Sequence, residues 1–248
     1  MAGFETPACA GETGASERVL VLASGGADSS TLLAKAVAER GPENVFALAV
    51  SYGQRHLREI ESAKAIAQHY GVELRFLDLG SVFSDSTSSL LASSSEEVPR
   101  ESYADQLAAA PGAVVSTYVP FRNGLFLSAA ASVALSLGCG AVMYGAHRDD
   151  AAGDAYPDCS ESFVEAMGEA IRLGTGGELR LEAPFASMRK KDIVALGLEL
   201  KVPYELTWSC YEGGERPCGT CGTCRDRIAA FEANGVADPL MERDKDLP

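Results

Sequence analysis

The apolar run Val19-Leu20-Val21-Leu22-Ala23 leads directly into Ser24-Gly25-Gly26-Ala27-Asp28-Ser29, and that turn leads into Ser30-Thr31-Leu32-Leu33-Ala34-Lys35-Ala36-Val37. A short apolar run, a double glycine and a stretch of helical spacing read as a buried strand, a tight turn and a helix start. The turn has a chemistry of its own. Glycine reaches backbone conformations closed to other residues and lets a ligand approach the main chain without meeting a Cβ. Ser24, Ser29 and Ser30 add hydroxyl donors. The N–H groups of the helix's first turn, with the positive end of its dipole, face whatever anion sits there. Residues Ser24, Gly25, Gly26, Ala27, Asp28 and Ser29 are therefore read as a phosphate cradle. Their spacing is neither Gly-x4-Gly-Lys-Ser/Thr nor Gly-x-Gly-x-x-Gly, which sets aside the two commonest nucleotide fingerprints.

The rest of the chain repeats the order of strand and helix. Strand-like runs at 18–23, 45–51, 73–78, 141–146 and 178–183 alternate with amphipathic stretches at 29–40, 55–70, 121–137, 160–173 and 189–200. This alternation predicts an α/β fold, a doubly wound parallel sheet with crossover helices. Such sheets bind ligands beyond the carboxyl ends of their strands, near the switch in strand order. The glycine turn, Ser51-Tyr52-Gly53-Gln54 and Gly145-Ala146-His147 then share one rim. Residues 84–113, rich in Ser, Ala and Glu and broken by Pro99 and Pro111, are too long for an ordinary connection and read as a mobile lid or a solvated insert.

With 248 residues and 46% hydrophobic content, the chain suffices for one catalytic unit with a small attached subdomain. The net charge of −14 opposes capture of a polyanion, so a nucleic-acid partner is not expected. No apolar stretch reaches membrane-spanning length and no basic leader precedes an apolar core, so a cytoplasmic protein is expected. Residues 1–17 are small and polar and read as a flexible end.

Four of the seven cysteines crowd the C-terminal part as Cys210-x7-Cys218-x2-Cys221-x2-Cys224, with Gly213, Gly214, Gly219 and Gly222 supplying tight turns. Four thiolates suit tetrahedral zinc or an iron–sulfur cluster. A closed, structural Zn²⁺ site is the favoured reading, folding 207–248 into a subdomain behind the α/β unit at 18–206. Cys139 and Cys159 read as packed small residues.

The Ser-Gly-Gly-x-Asp-Ser form resembles the PP-loop of the ATP pyrophosphatases, which split ATP between its α and β phosphates. Four further segments follow in order: Ser51-Tyr52-Gly53-Gln54-Arg55-His56, Tyr118-Val119-Pro120-Phe121-Arg122-Asn123, Tyr156-Pro157-Asp158-Cys159, and Thr207-Trp208-Ser209-Cys210-Tyr211 with its cysteine tail. Together they resemble the 7-cyano-7-deazaguanine synthase (QueC) family. The resemblance implies a ligase that uses ATP, Mg²⁺ and ammonia to convert 7-carboxy-7-deazaguanine to 7-cyano-7-deazaguanine, a precursor of queuosine, through an adenylated acid and an adenylated amide. It also implies a homodimer. A relative that stops at the amide, or joins the activated acid to another amine, is the rival reading.

On this reading Ser24, Asp28, Arg122 and Lys191 are the candidate catalytic residues. Asp28 contacts metal or ATP, against the plainer role of a helix cap. Arg122 offers a planar fork to phosphate or carboxylate. Lys191 reaches a phosphate or belongs to a solvated face. Tyr52, Gln54, His56, Asn123, Tyr156 and Asp158 are the candidate substrate-binding residues. Asp158 offers acceptors to the N–H donors of a deazaguanine, or simply makes a Pro-Asp turn.

Overall fold

The computed structural model describes residues 17–101, 106, 108–109, 114–150 and 155–243. The terminus expected to be flexible lies outside the described residues except for Glu17, as does most of 102–113.

Five strands, β1 (Val19–Leu22), β2 (Val45–Ser51), β3 (Glu73–Asp78), β4 (Ala141–Met143) and β5 (Arg180–Glu182), form one sheet in the order β3-β2-β1-β4-β5. Every pairing is parallel. The chain steps outward from β1 to β3 and then returns to lay β4 on the other side of β1, so the strand order switches between β1 and β4. The expected doubly wound sheet is present.

Alternation along the strands builds two cores. Leu20, Phe46, Leu48 and Val142 face Leu127 and Ala130 of α3 (Arg122–Ser136) and Ile171 of α4 (Glu161–Gly174). Val19, Val21, Ala47 and Met143 face the other way, toward Leu32 and Leu33 of α1 (Ala27–Arg40), Ile66 of α2 (Arg58–Tyr70) and Ile193 of α5 (Lys190–Glu199). Strands apolar on both faces are what a parallel sheet covered by helices on both sides requires. No helix among the described residues is long and apolar enough to cross a membrane.

Several boundaries differ from those expected. Helix α1 begins at Ala27 rather than 29, so Asp28 and Ser29 belong to its first turn. Helix α2 begins at Arg58 rather than 55, because the preceding turn is tied to the insert. Arg55 donates to the carbonyls of Ser89, Ser94 and Glu96, Gln54 bridges Leu91, and Ala92 N–H donates to Gly53 O at 2.8 Å. Strand β4 stops at Met143; Tyr144 donates one more backbone bond to Glu182 O, and the chain then turns toward the site. In the described part of the insert Leu90, Leu91 and Val98 are buried.

Beyond Thr207 the chain forms α6 (Gly222–Glu232) and α7 (Pro239–Arg243). Ala230 and Phe231 of α6 join Ala27 and Ala34 of α1, Val194 of α5 and Tyr204 in a common core. Arg227, fully buried, donates from Nε and Nη2 to both oxygens of Asp238, and from its terminal nitrogens to Thr207 Oγ1, Ser209 Oγ and Tyr204 O.

Candidate active site at the switch in strand order

The cradle lies where β1 ends beside β4. Gly26 is extended (φ −76°, ψ 172°) and caps α1, whose first N–H groups have no partner within the helix. The Ser24 and Ser29 hydroxyls stand 3.0 Å apart, and Gly26 N–H donates to Ser24 Oγ at 3.3 Å. The two glycines do different work. Gly25 has φ +85°, and a Cβ there would lie 2.2 Å from Glu59 O and 2.6 Å from Ala63 N, so its lack of a side chain admits α2 rather than a ligand. At Gly26 a Cβ would meet nothing closer than Ser24 Oγ at 3.4 Å, and it is this residue that borders the cavity.

A compact charged cluster flanks the cradle. Asp28 Oδ2 accepts from Lys190 Nζ at 2.9 Å and lies 3.6 Å from His147 Nε2, which is itself 3.3 Å from Asp150 Oδ2. Burial alone would raise the Asp28 carboxyl, but the Lys190 and His147 charges overcome it and hold the group well below the usual carboxylate range. Burial disfavours charge on His147 and Lys190 too; the pull of Asp150 and Asp28 prevails and raises both. Asp28 Oδ1 is buried without a hydrogen-bond partner.

Two adjoining cavities open from the cradle, of ≈ 220 Å³ and ≈ 140 Å³, sharing Ser24, Gly26, Asp28, Glu59, Asp150 and Tyr211. The larger has apolar and aromatic walls from Leu22, Val50, Tyr52, Phe126 and Tyr144, with Gln54, Arg122 and Asn123 among its polar groups. The smaller is polar, completed by Lys190, Ser209, Thr223 and Asp226. Arg122 begins α3, its guanidinium 5.0 Å from the centre of the Tyr52 ring and 5.8 Å from that of Phe126, with Nε buried and unpartnered. Burial pushes the Cys159 thiol on the cavity wall up to about 12, so it stays protonated at neutral pH.

Thus the structure brings Ser24, Gly26, Asp28, Ser29, Tyr52, Gln54, Arg122 and Asn123 of the expected set to one cavity, with Gly25 and Ala27 behind them. Four expected residues stand elsewhere. Lys191 is exposed, its carbonyl accepting from Asn234, and neighbouring Lys190 reaches Asp28 instead. Consecutive helical residues point about 100° apart, so only one of the pair can face the site. Asp158 is buried and caps α3: its Oδ2 accepts the Asn123 N–H at 2.9 Å, at a helix start that has no side-chain cap of its own. Tyr156 is buried beside it, its hydroxyl 2.5 Å from Thr117 Oγ1. His56 stands edge-on to Trp208, ring centres 6.3 Å apart, on the side of the cysteines. Sequence reasoning places His147 on the rim without a role and misses Glu59, Asp150, Lys190 and Asp226, because these come from α2, the segment after β4, α5 and α6 and none lies in a recognisable motif.

Ligand atoms of Cys210, Cys218, Cys221 and Cys224 all lie within 4.8 Å of one another. Backbone N–H groups of Cys218 and Cys221 point at the sulfurs of Cys210 and Cys218, each at 3.3 Å, as they would at thiolates. The segment carrying Cys210 is joined to the cradle, since Trp208 N–H donates to Gly25 O at 2.9 Å.

Residues 18–235 match the model of the family described as Queuosine biosynthesis protein QueC. The 7-cyano-7-deazaguanine synthase of Caldicellulosiruptor bescii is 44% identical over 223 residues, covering 90% of this chain and 96% of that protein. The enzyme of that name from Archaeoglobus fulgidus is 44% identical over 225 residues, 90% of each chain, and that from Marinobacter nauticus 42% identical over 224 residues, 90% of this chain and 96% of that protein. Among solved structures, an NH3-dependent NAD synthetase from Campylobacter jejuni overlaps 79% of this chain and 69% of its own, at a TM-score of 0.46 and 16% identity. With the family model spanning the whole sheet and relatives of one name covering 90% of this chain, the chain belongs to the QueC family of queuosine biosynthesis proteins.

Proposed function

We propose that this protein makes 7-cyano-7-deazaguanine from 7-carboxy-7-deazaguanine, ammonia and ATP. The observation that carries the reading is a phosphate cradle opening on a cavity whose walls hold unpartnered buried polar atoms, Asp28 Oδ1 and Arg122 Nε, beside aromatic faces suited to a flat heterocycle. A carboxylate resists amines because oxide leaves poorly. Transfer of AMP to its oxygen makes a mixed anhydride, and ammonia then displaces AMP to give the amide. The amide oxygen then takes a second AMP while its nitrogen gives up one proton, and as that AMP leaves with the C–O electron pair the remaining N–H proton is lost and the nitrile remains.

Ser24, Ser29 and the first turn of α1 would receive the departing pyrophosphate, with Lys190 near by. Asp28, through its free Oδ1, with Asp150 and Asp226 on the smaller cavity, would hold Mg²⁺, which lends positive charge to the phosphates. Arg122 would hold the substrate carboxylate or the α-phosphate, and Tyr52, Gln54 and Asn123 would line the heterocycle or adenine. The four cysteines would hold one structural Zn²⁺. Because Ser209, Tyr211, Thr223 and Asp226 wall the cavities, that metal would stabilise the nucleotide site as well as its own loop. A cytoplasmic homodimer acting on small molecules and not on nucleic acid belongs to the same reading, in keeping with the charge of −14.

Mass spectrometry of purified protein with 7-carboxy-7-deazaguanine, Mg²⁺-ATP and ammonium tests it. Nitrile formed together with AMP is the expected result. Amide as the end product would assign a shorter reaction, and unchanged acid with no AMP would overturn the substrate assignment.

A further inference from the structure

Glu59, in the first turn of α2, has no part in the reaction as set out above. The residue borders both cavities, where they adjoin. Among the described residues it has no hydrogen-bond or ion-pair partner. Its main chain is held against the cradle, for Gly25 leaves no room for a Cβ beside the Glu59 carbonyl. Of the other carboxylates and cations that border the cavities, all but Asp226 are engaged. Asp28 is engaged by Lys190 and His147, and Asp150 by His147, while Arg122 is a permanent cation over Tyr52. Asp226 borders the smaller cavity alone. Burial pushes the Glu59 carboxyl up to about 7, against the opposing pull of Arg122 and with a smaller upward push from the Cys210 sulfur. A base of that strength suits proton transfer at neutral pH.

We propose that Glu59 accepts the proton that the nitrogen nucleophile must lose at the activated carboxyl carbon. The proposal rests on the reaction assigned above. The ammonia lone pair forms the C–N bond, one N–H proton passes to the Glu59 carboxylate, and the C–O bond to AMP breaks with its electron pair leaving on AMP. The products are the amide, AMP and protonated Glu59. After Glu59 has returned its proton to water, and once the amide nitrogen has given up one proton on adenylation to leave a neutral imidate, Glu59 accepts the remaining N–H proton as the C–O bond to AMP breaks with its electron pair and the nitrile forms. A carboxylate at the junction of the phosphate-side and heterocycle-side cavities stands where both steps need it.

The test separates the two halves of the reaction in Glu59→Gln and Glu59→Asp. Exchange of labelled pyrophosphate into ATP, dependent on 7-carboxy-7-deazaguanine, reads adenylation; mass spectrometry reads amide and nitrile. For Glu59→Gln the expected result is retained exchange with amide and nitrile formation lowered about 10²–10⁴-fold, with Glu59→Asp intermediate. Hydroxylamine, uncharged at neutral pH and less dependent on a base, should restore acyl transfer in Glu59→Gln as the hydroxamate. Exchange falling in parallel with product would assign Glu59 to metal, phosphate or structure and overturn the proposal, as would nitrile formation at the wild-type rate. Absence of exchange in the wild-type protein would instead overturn the functional reading beneath it.

Discussion

Arg227 and Arg122 each hold a guanidinium over an aromatic face, 5.5 Å from the centre of Phe231 and 5.0 Å from that of Tyr52. Arg227 is completed by the protein itself: both oxygens of Asp238, Thr207, Ser209 and the Tyr204 carbonyl accept from it, and the side chains of the ion pair are 0% and 1% exposed. Arg122 has no carboxylate within ion-pair distance among the described residues, and its Nε is buried with nothing to donate to. Asp238 and Asp28 repeat the contrast, the one saturated and the other with a free Oδ1. Folding tolerates a buried ionic group when its partners are supplied, and one left incomplete at a cavity wall is a cost that a ligand can offset. The saturated arginine is therefore a strut between α6 and the segment leading to the cysteines, and the incomplete one is the group proposed above to receive an anion.

The largest effect should come from the cysteines, which lie on the strut side. Cys224→Ser, or removal of the metal by a chelator, should abolish stoichiometric zinc and unfold the segment around it. Structural sites of this kind contribute on the order of 10 kcal/mol to local folding. Metal analysis with thermal melts reads it, and a melt unchanged by zinc loss would show that the cysteines are not structural.

Next comes Arg227→Met, which strands Asp238 and should destabilise the fold by about 3–5 kcal/mol in denaturant melts. Adding Asp238→Leu should recover much of that loss; if the pair replacement is as damaging as the single one, the arginine's neutral partners matter more than the ion pair.

Arg122→Met breaks the comparison from the other side. It should leave the melt close to wild type while kcat/KM for the acid falls by roughly 10- to 100-fold, the scale of a charged hydrogen bond of about 1.5–3 kcal/mol. A large stability loss here would make Arg122 a second strut.

The smallest effect concerns His147, between Asp28 and Asp150 with Lys190 near by. Its folded-state pKa is raised above 6.5, so its stabilising contribution is fully present below pH 6.5 and is lost as pH rises through the folded-state value. The difference in melting temperature between wild type and His147→Gln should shrink with rising pH over that window, and a constant difference would leave the histidine neutral and merely packed.

Much of this was legible in the linear chain. β2 and β3 fall where the sequence places them: β2 as an apolar run buried along nearly its whole length, β3 as a mixed strand at the sheet edge that stays largely exposed. The cradle was legible because strand, turn and helix start are contiguous. Helix ends were less so. Arg55 falls within a stretch of helical spacing, yet its guanidinium is drawn to carbonyls 34 to 41 residues further on. Lys190 and Lys191 are equivalent in the sequence, and only the rotation of α5 against α1 selects the first. Asp158 has the donor-seeking chemistry expected of it, but it meets the Asn123 N–H of α3 because that helix lacks a cap of its own.

By itself the sequence determined the parallel α/β architecture, the place of the glycine turn at the end of β1, the four-cysteine cluster and the family, since each rests on neighbouring residues or on motifs in fixed order. Tertiary structure alone decided which charges stay incomplete. Glu59, Arg122 and Asp28 come from α2, α3 and α1, and they share one cavity only because the sheet reverses its strand order there. Whether a buried charge becomes a strut or a receptor depends on how many partners reach it from distant segments, and no local pattern encodes that number.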